Sequence, residues 1–441
     1  MVPTTAAPIS PAQVPPRDLA VDVARAVAVG VVVVGHAIVA AVAWRGGRPV
    51  ADNLLATSPL ARAMTWVFQV LPLVFLCGGV ASARSAGRPD WLAARVERLA
   101  APVTAYVAVV ATGLLGARLT GALDTGSVRV VGQALAMHLW FLAAFLLVTA
   151  LVPALVVAGR RHGWRAVPVA LVAAGLIDVA GRRVPLLGWL GVPVVWGLCT
   201  HLGVLRALGR TWPGGRRGAA LSAVAALLGL LVLVRWGGYP VSMVNVPGAG
   251  RSNAGPPSLA MALLGLAQAG AFSALTDGWK PRRPALIAAA NRLAMGAYLW
   301  QFAGIVLAAV LLLPTGILPA PATGTATWWA WRPIWLVACL AAIAAVLATV
   351  GVRATGSPAP GRPGRVGSTV AAVAALAGFV LVTTAGITAS WGFLAGAACL
   401  AVARLAARHR ADWGVGGLAL ADGPACSAKP ALSGGARELV A

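Results

Sequence analysis

The chain has 441 residues, 59% of them hydrophobic and 10% charged, with a mean hydropathy of +0.85, which excludes an ordinary soluble globular protein. The formal net charge of +24 does not indicate nucleic acid as a partner, because the basic residues fall in short patches between apolar runs instead of along one amphipathic surface. Cys77, Cys199, Cys339, Cys399 and Cys426 are scattered with no CxxC pair, so neither a zinc site nor a disulfide framework is indicated.

Residues 1–16 are uncharged and rich in Pro, Ala and Thr, and read as a disordered leader; a cleavable signal peptide would open on a basic region. Apolar runs then follow at about 22–44, 64–83, 99–117, 133–158, 166–181, 184–205, 218–236, 258–276, 285–313, 328–352, 369–387 and 390–405. The fifth is short, and only Thr383-Thr384-Ala385-Gly386 separates the last two, so the count lies between ten and twelve. The expected fold is an all-α polytopic transmembrane bundle. Residues 411–441 are Gly- and Ala-rich and read as a disordered tail. Alternate loops are the more basic ones, among them Arg84 to Arg98, Arg160 to Arg165, Arg206 to Arg217 and Lys280 to Arg283. By the positive-inside rule these loops and Arg17 are cytoplasmic, which puts the N-terminus inside a multi-pass protein of the cell membrane.

The first run carries ionisable groups that a simple anchor would lack. Eleven residues from Arg25 to His36 turn a helix through about 1100°, roughly 20° from three full turns, and rise about 16 Å. Arg25 and His36 therefore share one face, and Asp22 lies within about 40° of it. Ions inside a bilayer usually face a bundle interior or a wet cavity, although Arg25 snorkelling to the interface and His36 bonding a neighbouring helix would also account for the pattern. After the second run, Arg95 and Arg98 are three apart and project to one side. Such a pair can grip a phosphate or diphosphate, or simply anchor the helix.

The fourth run opens on Met137-His138-Leu139-Trp140-Phe141-Leu142, with His138 and Trp140 expected near the extracytoplasmic face, where Trp commonly joins an interfacial belt. Asp178 is expected to pair with Arg182, four residues on. The connection at 237–257, which includes Asn253, is dense in turn formers, and reads either as the lining of an outer acceptor site or as a rigid surface loop. In the ninth run Asn291, Arg292, Tyr298 and Gln301 form a polar stripe that has to face protein.

Taken together, Arg25-x10-His36, Arg95-x-x-Arg98 ahead of Pro102, the His138-to-Leu142 helix start and Tyr298-Leu299-Trp300 are ordered as in the membrane acyltransferase 3 family, which the chain resembles over roughly residues 17–352. The resemblance implies a ten-helix core that moves an acyl group, often acetyl or succinyl, from cytoplasmic acyl-CoA to a hydroxyl, usually on a sugar or glycan. One or two additional C-terminal helices, within 353–410, lie outside it. By position, the family's required first-helix residues fall on Arg25 and His36, and its donor-associated loop pair on Arg95 and Arg98, with Asp22 beside them. His138, Trp140, Asn253, Tyr298 and Gln301 are candidates for contacting the acceptor or supporting the reacting groups. No metal or bound cofactor is expected, acyl-CoA entering as co-substrate. Two departures stand out: many relatives have His where this chain has Gln301, and some have a Glu where Ala143–Leu147 is uncharged.

Hydroxyl acylation needs a base of near-neutral pKa, and His is the side chain that has one. The expected mechanism makes His36 that base, or less directly a transiently acylated nucleophile. A transporter or flippase would instead use the intramembrane ions as a relay between two related halves. No internal repeat is visible, and the charges cluster at one face. A catalytically degenerate membrane partner would keep the fold and lose turnover.

Overall fold

A backbone inside hydrocarbon has to satisfy its own hydrogen bonds, so apolar runs of this length can only be helices. The structure, a computed structural model, describes residues 18–45, 48–88, 90–279, 282–351 and 364–408. It is 78% helical with almost no sheet, an all-α polytopic bundle. Among the described residues twelve helices are long and apolar enough to span a membrane: α1 (Leu19–Val39), α2 (Pro59–Ala83), α3 (Trp91–Leu119), α4 (Thr125–Ala150), α5 (Gly163–Arg183), α6 (Pro185–Ala207), α7 (Gly215–Trp236), α8 (Leu259–Thr276), α9 (Pro284–Leu312), α10 (Ala326–Val350), α11 (Arg365–Ala385) and α12 (Trp391–Arg408). The expected leader and tail lie outside the described residues.

Several boundaries differ from the sequence reading. The first helix ends at Val39 instead of about residue 44, and the chain turns into an antiparallel hairpin, β1 (Ala40–Arg45) against β2 (Arg48–Asn53), with Ala40 opposite Asn53. Side chains of α10 accept the work of ending the helix: the Trp335 indole N–H donates to the Ala37 carbonyl at 3.0 Å, and Arg332 donates to that of Ala40. These are helix-terminal carbonyls without intrahelical partners. Helix α2 is broken at Gln69, whose amide donates to the Met243 carbonyl at 3.0 Å, and Pro72 starts the second half. The fourth span begins at Thr125 and is interrupted by a 3-10 turn at Met137–Leu139. Its N-cap, Asp124, accepts from the Ser127 N–H at 2.7 Å, a start signal upstream of the apolar run.

Asp178 does not pair with Arg182. It accepts from the Tyr239 hydroxyl at 2.8 Å and from the Leu259 backbone N–H at 2.7 Å, while Arg182 reaches the Gly237 carbonyl at 3.3 Å. A carboxylate at the first turn of α8 meets an otherwise unbonded N–H and the positive end of the helix dipole, which outweighs an exposed i,i+4 ion pair. Burial and the hydrogen bond to Asp178 push the Tyr239 phenol up to about 12, so it stays a donor.

One arginine gathers three helix ends at a single face. Asp18 caps α1, accepting from the Ala20 and Val21 N–H groups at 3.1 and 3.3 Å. Arg206, at the end of α6, bridges Asp18 at 2.7 Å and Asp277, after α8, at 3.3 Å. The start of α1 and the ends of α6 and α8 therefore lie together, as alternating crossings require. Helices α2 and α6 approach so closely that a Cβ on Gly203 would sit 2.0 Å from the Leu76 carbonyl oxygen, the small-residue packing by which membrane helices associate without a hydrophobic driving force.

The last two helices form a hairpin packed on α3 and α4. The Ile387 N–H donates to the Gly132 carbonyl at 3.1 Å, and the Gln133 amide to Thr383 at 2.9 Å. At the other end, Glu97 on α3 is 1% exposed and takes two bonds from Arg408, one at 2.9 Å from Nε, with Arg404 at 3.7 Å. A buried carboxylate stripped of its counter-ion is strongly destabilising. Arg404→Ala with Arg408→Ala is expected to lower stability by on the order of 3 kcal/mol, and adding Glu97→Gln to recover part of that loss, because an amide needs no counter-ion. Thermal unfolding of the detergent-purified protein measures this; a double arginine variant that melts like wild type contradicts the clamp.

Candidate active site

Helices α1 and α9 run parallel, pinned by two polar contacts. Near the start, Arg25 Nε donates to the Asn291 amide oxygen at 2.6 Å and its Nη2 to Asp22 at 3.1 Å. Asn291 closes the triangle by donating to the Asp22 carbonyl at 2.8 Å and to Ile287 at 3.0 Å. Eleven residues along α1 and ten along α9, His36 Nδ1 lies 2.9 Å from the Gln301 amide oxygen. Similar intervals on two helices keep the pair in register, so the shared face of Asp22, Arg25 and His36 is a face turned to protein.

The Gln301 contact orients the imidazole. The Gln301 amide nitrogen donates to the Tyr298 carbonyl at 2.9 Å, which leaves its oxygen toward His36; a carbonyl oxygen only accepts, so Nδ1 is the protonated nitrogen. His36 Nε2 then keeps its lone pair and is the basic atom. The ring packs against Phe302, centroids 4.9 Å apart, and is only partly buried. Gln301, fully buried, thus fixes a tautomer without adding a second ionisable group beside His36.

His138 joins this cluster instead of lying near a membrane face. Because α4 starts at Thr125, the 3-10 turn sits well inside the bundle, and the His138 ring packs on Phe302 at 5.2 Å, Tyr298 at 5.4 Å and Tyr106 at 5.6 Å. The turn also frees the His138 carbonyl to accept from the buried Tyr298 hydroxyl. Neither ring nitrogen of His138 has a hydrogen-bond partner among the described residues. Trp140 points away, half-exposed, with Phe141 beside it at 6.4 Å. Asn253 braces the 237–257 loop: it is fully buried, donates to the Pro240 and Ser242 carbonyls at 2.7 and 2.9 Å, and accepts from Ser258 at 2.8 Å. That loop and Arg62 wall a cavity of about 440 Å³.

At the Arg25 end, the charges of Arg98 and Arg25 both act on Arg95. Arg98 Nε donates only to the Ala94 carbonyl, at 3.2 Å, and Arg95 Nε is buried without a partner. Among the described residues neither arginine pairs with a carboxylate, since the Glu97 between them is turned to Arg408 and Arg404. Of these three guanidinium groups, Arg25 alone is paired with a carboxylate among the described residues, Asp22, so the cluster keeps a surplus of positive charge that suits an anion. Asn291 was legible in sequence as part of a polar stripe, but its pairing with Arg25 was not; the signal was the near-equal spacing of Arg25 to His36 and of Asn291 to Gln301. Arg292, from the same stripe, is exposed.

The oriented His36 imidazole thus lies on the same helix as Arg25, and α3 brings Arg95 and Arg98 to the Arg25 end of it. Residues 18–352 match a family described as an acyltransferase domain, and the chain belongs to this membrane acyltransferase 3 family. It is an acyltransferase for groups other than aminoacyl groups, built as a multi-pass membrane protein. No curated protein and no solved structure matches it. Helices α11 and α12 lie beyond the matched residues.

Gln301→Leu removes the acceptor that holds Nδ1–H, and is expected to lower kcat for acyl transfer about 100-fold, the low end of what a positioned acid or base contributes. An unchanged kcat at wild-type membrane abundance would mean that His36 needs no partner on Nδ1.

Proposed function

We propose that the protein transfers an acyl group, acetyl- or succinyl-like, from cytoplasmic acyl-CoA to a hydroxyl of a carbohydrate or another cell-envelope or secondary-metabolite acceptor, with His36 as general base. The observation that carries this reading is the oriented His36 on the same helix face as the Arg25 cluster. A coenzyme A thioester brings a diphosphate and a ribose phosphate, which suit Arg25, Arg95 and Arg98, because guanidinium grips phosphate in bidentate fashion. Asn291 holds Arg25 in position without changing its charge, and Asp22 offsets that one guanidinium while Arg95 and Arg98 have no carboxylate partner among the described residues.

From that end to His36 the helix rises about 16 Å, a span suited to an extended pantetheine arm. The acceptor hydroxyl gives its proton to His36 Nε2 as its oxygen attacks the thioester carbonyl. Collapse of the tetrahedral intermediate breaks the C–S bond, and the leaving thiolate takes the proton back from His36. Acid and base roles thus fall on one imidazole in turn. The basic loops support placing the Arg25 face in the cytoplasm, where acyl-CoA is found, and the N-terminus with it.

Purified protein in nanodiscs, given radiolabelled acetyl-CoA or succinyl-CoA, tests the reading. His36→Ala is expected to abolish both thioester hydrolysis and transfer. Arg95→Ala and Arg98→Ala are each expected to raise the donor KM roughly ten-fold while leaving kcat within a factor of a few, as loss of a charged hydrogen bond predicts. Undiminished turnover in His36→Ala sinks the mechanism, and acceptor movement without acyl transfer would favour a transporter.

A further inference from the structure

Beyond His36, in the direction away from Arg25, α1 runs into a second feature. A cavity of about 290 Å³ opens against Ala41 and Val42, walled by Trp328, Trp331 and Trp335, with Arg332 among them and Asp52 also on its lining. It is fastened to the His36 helix: Trp335 donates to Ala37, the residue after His36, and Arg332 to Ala40. Helix α1 ends at Val39, a rise of about 4.5 Å past His36, and Ala40 carries the chain on in strand to Ala41 at the cavity.

Arg332 is 9% exposed, and its guanidinium lies 3.8 Å above the Trp328 ring and 5.5 Å from that of Trp335. Capping α1 uses only its Nη2. Nε is buried with no partner, and Nη1 makes no hydrogen bond to a described residue. Among the described residues no carboxylate pairs with it: Asp52 is exposed and accepts from the Asn53 backbone N–H at 2.7 Å. A buried cation is costly without a counter-ion, and the indoles meet only part of that need.

We infer that this cavity is a binding subsite for the acceptor, taking a ring-bearing molecule whose anionic group, carboxylate or phosphate, pairs with Arg332 while its ring lies against the Trp328–Trp331–Trp335 wall. The inference rests on the proposed acyl transfer, and puts donor, base and acceptor in sequence along α1: anion cluster at Arg25, base at His36, anionic ring at Arg332. The cavity beside the 237–257 loop fits this role less well, since Arg62 there spends Nε and Nη2 on the Leu55 and Ala56 carbonyls, each at 2.6 Å, and no aromatic ring lines it.

Binding can be measured without any acyl donor. Calorimetric titration of the full chain in nanodiscs with phenyl β-D-glucuronide, phenyl phosphate and the neutral phenyl β-D-glucoside separates charge from ring. At least one anionic probe is expected to bind ten-fold or more tightly than the glucoside, and which one does so distinguishes carboxylate from phosphate. Arg332→Gln should erase that preference and leave glucoside binding unchanged, Arg332→Lys should keep part of it, and Trp331→Ala should weaken all three probes together. Equal binding of the three probes, no binding, or a preference that survives Arg332→Gln overturns the inference. Because no thioester is present, such a failure is separate from a failure of His36→Ala to stop turnover, which would overturn the acyl-transfer reading instead.

Discussion

The parallel packing of α1 against α9 is the constraint on which the site depends. Each helix carries polar groups that hydrocarbon would not tolerate, and each supplies what the other lacks: Arg25 finds the Asn291 side-chain amide oxygen, and His36 finds that of Gln301. In a low-dielectric interior, leaving either contact unmade would expose the full desolvation cost of a buried polar group. Two such contacts about three turns apart hold the helices against both sliding and rotation. The His36 ring is thereby oriented by a neighbour that cannot itself titrate, and Arg25 is held by an amide as well as by Asp22.

Electrostatic sorting extends this outward. Three acidic groups near the Arg25 face are each assigned to particular cations: Asp22 to Arg25, Asp18 to Arg206, and Glu97 to Arg408 and Arg404. The last assignment matters most for the site, because Glu97 lies between Arg95 and Arg98 in sequence and could otherwise neutralise them. Helices outside the matched family residues supply its counter-ions, so the C-terminal hairpin both braces the bundle and leaves the arginine pair positive. The Gly132 contact shows how tightly that hairpin seats: a Cβ there would lie 2.3 Å from the Ile387 carbonyl oxygen.

Much of this was legible in the residues. Apolar run length gave twelve candidate spans, and the interval from Arg25 to His36 placed both on one face, because a helix has a fixed period and a bilayer leaves no other choice of structure. What misled was local: Asp178 and Arg182 stand at ideal i,i+4 spacing, yet a helix N-terminus 81 residues on competes better for the carboxylate. His138 was displaced from the membrane face because the span begins at a polar cap, Asp124, that hydropathy does not register. Trp140 and Asn253 fall outside the His36 cluster for the same kind of reason, one turned outward and the other consumed in holding a loop.

The sequence by itself determined the class of molecule, the number of crossings within narrow limits, the polar face of α1 and the positive character of one end, since all of these follow from composition and helical period along a single segment. The tertiary structure decided which groups meet: that Gln301 selects the His36 tautomer, that Asn291 holds Arg25, that Glu97 answers to arginines more than 300 residues away, and that three tryptophans and Arg332 close a cavity just past His36. Those pairings depend on register between helices far apart in the chain, and no periodicity within one helix encodes where its partner's side chains will lie.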